Sequence, residues 1–224
     1  MDAKALEKKW RKKWEEAKLF ESEPKEDQEK YFVNCPYPYM NGYLHLGHAF
    51  TYLRADMVSR YQRMKNKNVL FPFAFHCTGT PIVAAAQRVE EGEEGQISAL
   101  KQMGLSQNLI KRFSKPEEWT KYFPDKAIED LKNFGASIDW RRSFITTSLN
   151  PPYDGFIRWQ FNKLLAGEYL IKGSFPVVWC PKRETVVGDH DRLSGEGETP
   201  QEYTLLKFKG EDHFLVAATL RPET

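Results

Sequence analysis

Two successive passages from a short β-prone segment, through a polar loop, into a helix-patterned segment restrict the fold of this chain more than any other feature. Residues 31–35, Tyr-Phe-Val-Asn-Cys, alternate in polarity, and the residues that follow are rich in Pro, Asn and Gly. Residues 47–64 then place Ala49, Leu53, Asp56, Met57, Tyr61 and Met64 on helical faces, and the pattern ends near the Lys-Asn-Lys-Asn of residues 65–68. The second passage has a buried strand over residues 69–75, a polar turn His-Cys-Thr-Gly-Thr-Pro over 76–81, and a helix over 82–89. Strand, helix, strand, helix, with polar residues gathered after the strands, predicts an α/β fold with a parallel sheet and a ligand at the strands' carboxyl ends. Pro72 removes a ladder donor, so an irregular or edge position is expected there.

Ahead of this, Leu6, Trp10, Trp14 and Ala17 recur at helical spacing, while Lys8, Lys9, Arg11, Lys12 and Lys13 fill the other sides, which predicts a basic, amphipathic docking helix. Residues 22–30 form a charged, Pro-containing connector. After residues 90–95, acidic and read as a mobile link, short helices are expected. Ser114 to Glu117 fits a capping box with Pro116 in the first turn of a helix reaching Tyr122, and residues 124–134 read as a separate helix closed by Gly135. A further helix over 152–165 ends at Gly167, and residues 169–171 and 175–179 have strand character. From Cys180 the composition shifts to Gly, Thr and charge, which places domains at 1–30, 31–179 and 180–224. Strands over 203–208 and 214–218 would make a two-stranded unit too small to stand alone, so the sequence reads as cut inside a domain.

The 224 residues, 41% of them hydrophobic, suffice for a sizeable core, and the net charge of +2 neither demands nor excludes a nucleic-acid partner. No apolar run has the length of a membrane span and residues 1–14 are charged, so a soluble, cytoplasmic protein is expected. Three cysteines, Cys35, Cys77 and Cys180, form an odd set read as reduced thiols. Cys180 and His190 invite a zinc reading, but a Cys-x-x-Cys knuckle would need cysteine at Arg183; no protein-bound metal is expected, and Asp189 and Asp191 are read as turn residues.

The chemistry concentrates at His45 and His48. Three residues apart at a helix start, both can reach one anionic group, and the helix N-terminus adds free N–H groups and the positive end of its dipole. Gly47 between them would let a base or sugar approach the backbone. Donors aimed at a phosphate stabilise charge that develops during displacement at phosphorus, which is nucleotidyl transfer. Taken alone, the His-x-Gly-His pattern fits surface polarity or a lone metal contact better.

The surrounding residues reverse that weighting. Residues 37–48 resemble the HIGH motif of class I aminoacyl-tRNA synthetases, and Pro36-Tyr37-Pro38-Tyr39-Met40-Asn41-Gly42 is similar to leucyl-tRNA synthetases of the archaeal and eukaryotic type. Leu70-Phe71-Pro72-Phe73, His76-Cys77-Thr78-Gly79, Asp139-Trp140-Arg141, Val178-Trp179-Cys180-Pro181 and Ala218 to Thr224 recur in that family in this order. The resemblance implies the first half of a Rossmann-like nucleotide-binding fold, followed by the start of a β-rich inserted editing domain. It implies that leucine and ATP are joined with release of pyrophosphate, and that the leucyl group then passes to tRNA(Leu), with Mg2+ accompanying ATP. By position in the motif, His45 and His48 would hold the ATP phosphates and Gly47 would lie against the nucleoside. Tyr37 and Tyr39, with His76 from the second turn, would line the leucine pocket, although aromatic residues beside proline also simply pack. Thr219, Arg221 and Thr224 match the threonine-rich editing strand of the family, where by the motif Thr219 and Thr224 would help exclude leucine while admitting smaller or differently branched chains; threonines are also ordinary strand residues. Cys35 departs from the family, where a larger apolar residue is expected. The lysine-rich loop and the editing aspartate of the family are not in these residues, so the 224 residues alone are expected not to charge tRNA. The alternatives are isoleucyl or valyl specificity within the family, and a non-catalytic module that binds tRNA or a complementary chain encoded separately.

Overall fold

Proline sets the shape of the central strand. In the computed structural model, which describes residues 2–181, 184–188 and 201–223, the run from residue 68 to 77 is broken at Pro72 into β2 (Asn68–Leu70) and β3 (Ala74–Phe75), following α1 (Ala3–Glu16), β1 (Lys30–Phe32) and α2 (Leu46–Met64). β1 runs parallel to β2 with Tyr31 opposite Val69, and the Val33 N–H extends that ladder to the Leu70 carbonyl at 2.9 Å. On its other side the same run meets β4 (Phe144–Ile145), which is parallel to β3. Its intervening helices are α3 (Thr80–Glu90), α4 (Glu94–Gln102), α5 (Gln107–Arg112) and α6 (Pro116–Phe134), with a 3-10 turn at Trp140–Arg142. The Asp139 N–H to Phe71 carbonyl bond, 2.9 Å, fills the gap that Pro72 leaves between β2 and β3. The irregularity expected at Pro72 is present, but in a central strand rather than an edge one.

The core follows from this layering. Phe71, Phe73, Phe75, Met40, Ile82, Leu100, Phe113, Trp119 and Phe123 are sealed from solvent, linking the strands to the helical insertion between β3 and β4. At roughly 25 cal/mol per Å² of apolar area, each fully buried phenylalanine contributes on the order of 2 to 3 kcal/mol. The Asp56 carboxylate of α2 accepts the Ser137 N–H at 2.6 Å and pairs with Arg60 at 2.7 Å, fixing α2 to the chain leaving α6.

Two expectations for the insertion are corrected. Residues 116–134 form one helix, not two: Pro124 lies inside α6 and is buried. An interior proline costs a helix about 3 kcal/mol; here the buried Trp119, Phe123, Ala127 and Leu131 on the same face hold the two halves together. The capping box is not formed, because the Ser114 hydroxyl donates back to the Lys111 carbonyl of α5 at 3.1 Å and α6 has no side-chain cap. Gly135 does end α6, in the left-handed conformation at φ +81°. α7 (Pro151–Ala166) follows β4, as its periodicity predicts.

The described residues divide into a unit up to Ile171 and a second unit from Lys172. The second contains β5 (Trp179–Cys180) antiparallel to β6 (Thr185–Val186), and β7 (Thr204–Lys209) antiparallel to β8 (Phe214–Thr219) with Leu206 opposite Ala217. Of the strands expected over 169–171 and 175–179, the first is absent and only the end of the second forms, Trp179 in β5 with the Val178 carbonyl accepting the Val187 N–H at 3.0 Å. Residues 169–171 and 175–177 have no partner strand among the described residues, and β propensity without a partner makes no ladder. No helix among the described residues is long and apolar enough to cross a membrane.

Candidate functional site

The loop between β1 and α2 carries the predicted histidines, and its geometry is set by two reciprocal caps. His45 occupies the N-cap of α2 in extended conformation; its Nδ1 accepts the Gly47 N–H at 3.1 Å. His48 reaches back, its Nδ1 accepting the His45 N–H at 3.2 Å. The rings lie 3.9 Å apart, tilted by 40°. With each Nδ1 accepting, each neutral ring carries its hydrogen on Nε2 and has that donor left for a ligand. Burial, then the neighbouring His45, holds the His48 imidazole below its ordinary value of 6.5, favouring the neutral accepting form. Gly47 permits the arrangement: a Cβ there would stand 3.0 Å from His45 Cε1. The space that glycine leaves is thus bordered by the His45 ring.

Behind the histidines runs a line of aromatic contacts. His48 stacks on buried Tyr52 at 5.9 Å, Tyr52 meets Phe73 edge-on at 5.0 Å, and Phe73 meets Tyr37 at 6.2 Å. Tyr37 also packs on Phe144 of β4, and burial raises its phenol. Tyr37 is thus packed on Phe73 and Phe144 at the back of the loop, with most of its surface covered.

The second polar turn lies directly beside the first. The His76 N–H donates to the Pro38 carbonyl at 2.9 Å and the Met40 N–H to the His76 carbonyl at 3.1 Å, so Tyr39 and His76 face each other as a parallel bridge with rings 3.9 Å apart. Burial lowers the His76 imidazole, against an opposing hydrogen bond with the Thr78 backbone, and its Nδ1 is buried without a partner among the described residues. A buried ring nitrogen with no partner is a place where a ligand group gains a full hydrogen bond. The turn is held from below by the Cys77 N–H, which donates to Thr146 Oγ1 at 3.1 Å.

Thus His45, Gly47 and His48 are brought together, and Tyr39 with His76 adjoin the same loop. Thr219 closes β8 in the second unit, where its Oγ1 accepts the Arg221 N–H at 3.0 Å. Thr224, His190, Asp189 and Asp191 lie outside the described residues.

Several contributors are not among the predicted residues. Gly79 caps α3 at φ +94°, and a Cβ there would stand 3.3 Å from Tyr39 Oη. Tyr43 holds the loop to the insertion through a 2.9 Å hydroxyl pair with Tyr122, and burial followed by that bond pushes its phenol up to about 12. Tyr52 stands one helical turn after His48, a spacing readable in sequence; the Tyr43–Tyr122 pair spans 79 positions and leaves no local signal.

Comparison with known proteins places these features in context. Residues 9–203 match the family described as tRNA synthetases class I (I, L, M and V). A leucine–tRNA ligase of Aeropyrum pernix is 50% identical over 99% of the chain, and one of Methanocaldococcus jannaschii is 46% identical over all of it. The cytoplasmic leucine–tRNA ligase of Pongo abelii is 40% identical over 99% of the chain. The chain spans 23% to 24% of the length of these relatives. A crystal structure of a LeuRS of Agrobacterium radiobacter K84, titled as a ternary complex with tRNA and LeuAMS, shares the fold over 81% of the chain and 20% of its own length, at TM-score 0.61 and 23% identity.

Proposed function

Because this chain belongs to the class I tRNA synthetases of the I, L, M and V group, we propose that it carries the phosphate-binding half of the adenylation site of a leucine–tRNA ligase. The observation that carries the reading is the reciprocal histidine cap at the start of α2, which leaves two Nε2 donors beside the positive end of a nineteen-residue helix. In this reading the leucine carboxylate attacks the α-phosphorus of ATP, pyrophosphate leaves, and the leucyl group then passes to tRNA(Leu). His45 and His48 donate to phosphate oxygens as negative charge shifts toward the leaving pyrophosphate. Mg2+ arrives with the nucleotide, as hard cations that lean on substrate phosphates do.

The neighbouring turn supplies the amino-acid side. Tyr37, Tyr39 and His76 line the leucine pocket, the rings of Tyr39 and His76 3.9 Å apart and Tyr37 packed against Phe73 and Phe144. The strand order on both sides of residues 68–77 supports a Rossmann-like first half, with residues 1–30 as an amino-terminal helix and connector and 31–179 as catalytic fold. Residues 180–224 are assigned to the start of an editing domain, in which Thr219, Arg221 and Thr224 sort amino acids. A pocket separates aliphatic side chains differing by one methylene by only about 1 to 3 kcal/mol, a limit for which aminoacyl-tRNA synthetases are the standard illustration, so a second sieve has a physical purpose.

The test is amino-acid-dependent ATP–pyrophosphate exchange by the full-length protein. Leucine is expected to drive exchange in preference to isoleucine and valine; preference for either of those would move the assignment within the family. His48→Ala is expected to lower exchange about 100-fold with folding retained. No exchange with any amino acid would favour a non-catalytic module, and an unchanged His48→Ala rate would remove the phosphate role.

A further inference from the structure

One cavity of the first unit shares no residue with the histidine loop. It measures about 470 Å³, between α1, the turn that follows it, and the carboxyl end of α6. That size accommodates a small organic molecule. Its apolar side is formed by Trp14, Leu19, Phe20, Ala136, Ile138 and Trp140. Trp14 and Phe20 meet edge-on at 5.7 Å, and the Arg60 guanidinium lies over both rings at 5.1 and 5.2 Å.

The charges around this cavity do not cancel. Its three carboxylates are already engaged: Glu15 by Lys132 at 2.9 Å, Glu21 by Arg141 at 3.4 Å and Glu129 by Lys126 at 2.8 Å. Lys8, Arg11 and Lys18, which also line it, have no ion pair among the described residues. Arg11 is the informative one. Its Nη1 donates to the Asn133 side-chain oxygen, which brings no charge, and its Nε is buried without a partner among the described residues. A buried N–H of a guanidinium left unpaired costs free energy, and an incoming oxyanion recovers it.

We propose that this cavity binds a flat aromatic anion, an aryl carboxylate or aryl phosphate. The anionic group sits on Arg11 with Lys8 and Lys18, and the ring lies against Trp14, Phe20 and Trp140. The ligand would also tether α1, which buries no residue completely and is held through Glu15–Lys132, Arg11–Asn133 and the Trp14–Arg60 contact.

The test titrates the full-length protein with 1-naphthoate, 1-naphthyl phosphate and uncharged 1-naphthol by calorimetry, each with and without saturating ATP. One or both anions are expected to bind saturably and about tenfold more tightly than 1-naphthol, with the advantage shrinking as salt is raised and ATP leaving it intact. The better of the two anions identifies the carboxylate or phosphate class. Arg11→Gln is expected to abolish the anion preference, and Lys18→Gln to reduce it. Absence of saturable binding, displacement of the probe by ATP, or an undiminished preference in Arg11→Gln would overturn the proposal. Because no residue is shared with the histidine loop, loss of exchange in His48→Ala bears on the other site alone.

Discussion

At the scale of single residues, the histidine caps make a pH-dependent joint. An imidazole that accepts at Nδ1 must be neutral there; once protonated, both ring nitrogens donate and the cap opens. Burial and His45 hold the His48 imidazole below 6.5, so the unfolded ring takes up its proton first as pH falls. The stabilising contribution is therefore complete above about pH 6.5 and is lost as pH falls through the lower folded value. Thermal melts of wild type and His48→Asn between pH 7.5 and 5 are expected to show a steeper acid-side loss in wild type; parallel curves would remove His48 as the source. Gly79 is a second point of local control. At φ +94°, with Tyr39 Oη already 3.3 Å from where a Cβ would stand, Gly79→Ala is expected to cost about 1 to 2 kcal/mol and to shift the Tyr39 ring. Denaturant unfolding gives the first quantity, and a structure of the variant shows the second.

Among the elements, the buried carboxylate of Asp139 has an organising role beyond its place in the Asp-Trp-Arg stretch. It accepts the Ser22 N–H at 3.0 Å and pairs with Arg141 at 2.8 Å, so it joins the connector after α1 to the 3-10 turn. Burial alone would raise this carboxyl; the hydrogen bonds from Arg141 and the Ser22 N–H prevail, and it stands below its ordinary value. Asp139→Ala leaves the Ser22 N–H without its acceptor and is expected to cost about 2 to 3 kcal/mol in denaturant unfolding. The same carboxylate lends acid sensitivity, since its contribution is present above about pH 3.8 and fades as pH falls through its lower folded value. Helix α6 teaches a different point. Pro124 reads locally as a boundary between two helices, yet the apolar spacing of Trp119, Phe123, Ala127 and Leu131 continues through it. The packing of that stripe outweighed one missing donor.

Across the whole molecule, thiol reactivity maps the core. Burial pushes Cys35 up to about 11 and Cys77 up to about 12, and both sit within the central cluster, whereas Cys180 is partly exposed in the second unit. A native Ellman titration is expected to modify Cys180 promptly, with Cys35 and Cys77 reacting only after denaturation; prompt reaction of Cys35 would mean that the segment between β1 and the histidines opens readily.

Sequence by itself determined the order of strands and helices through residue 90, the helix start at His45, the helix stop at Gly135 and the hairpin of β7 and β8. Each is written in local chemistry: alternation, helical spacing, a cap, a glycine able to adopt positive φ. Those same local residues carried the resemblance to the synthetases. Only the tertiary structure decided that the run with Pro72 is central, that Pro124 lies inside one helix, and that residues 169–171 form no strand. It also decided that Tyr39 meets His76 and that Tyr43 bonds Tyr122. These outcomes depend on partners distant in the chain, whose pairing free energy no local pattern records.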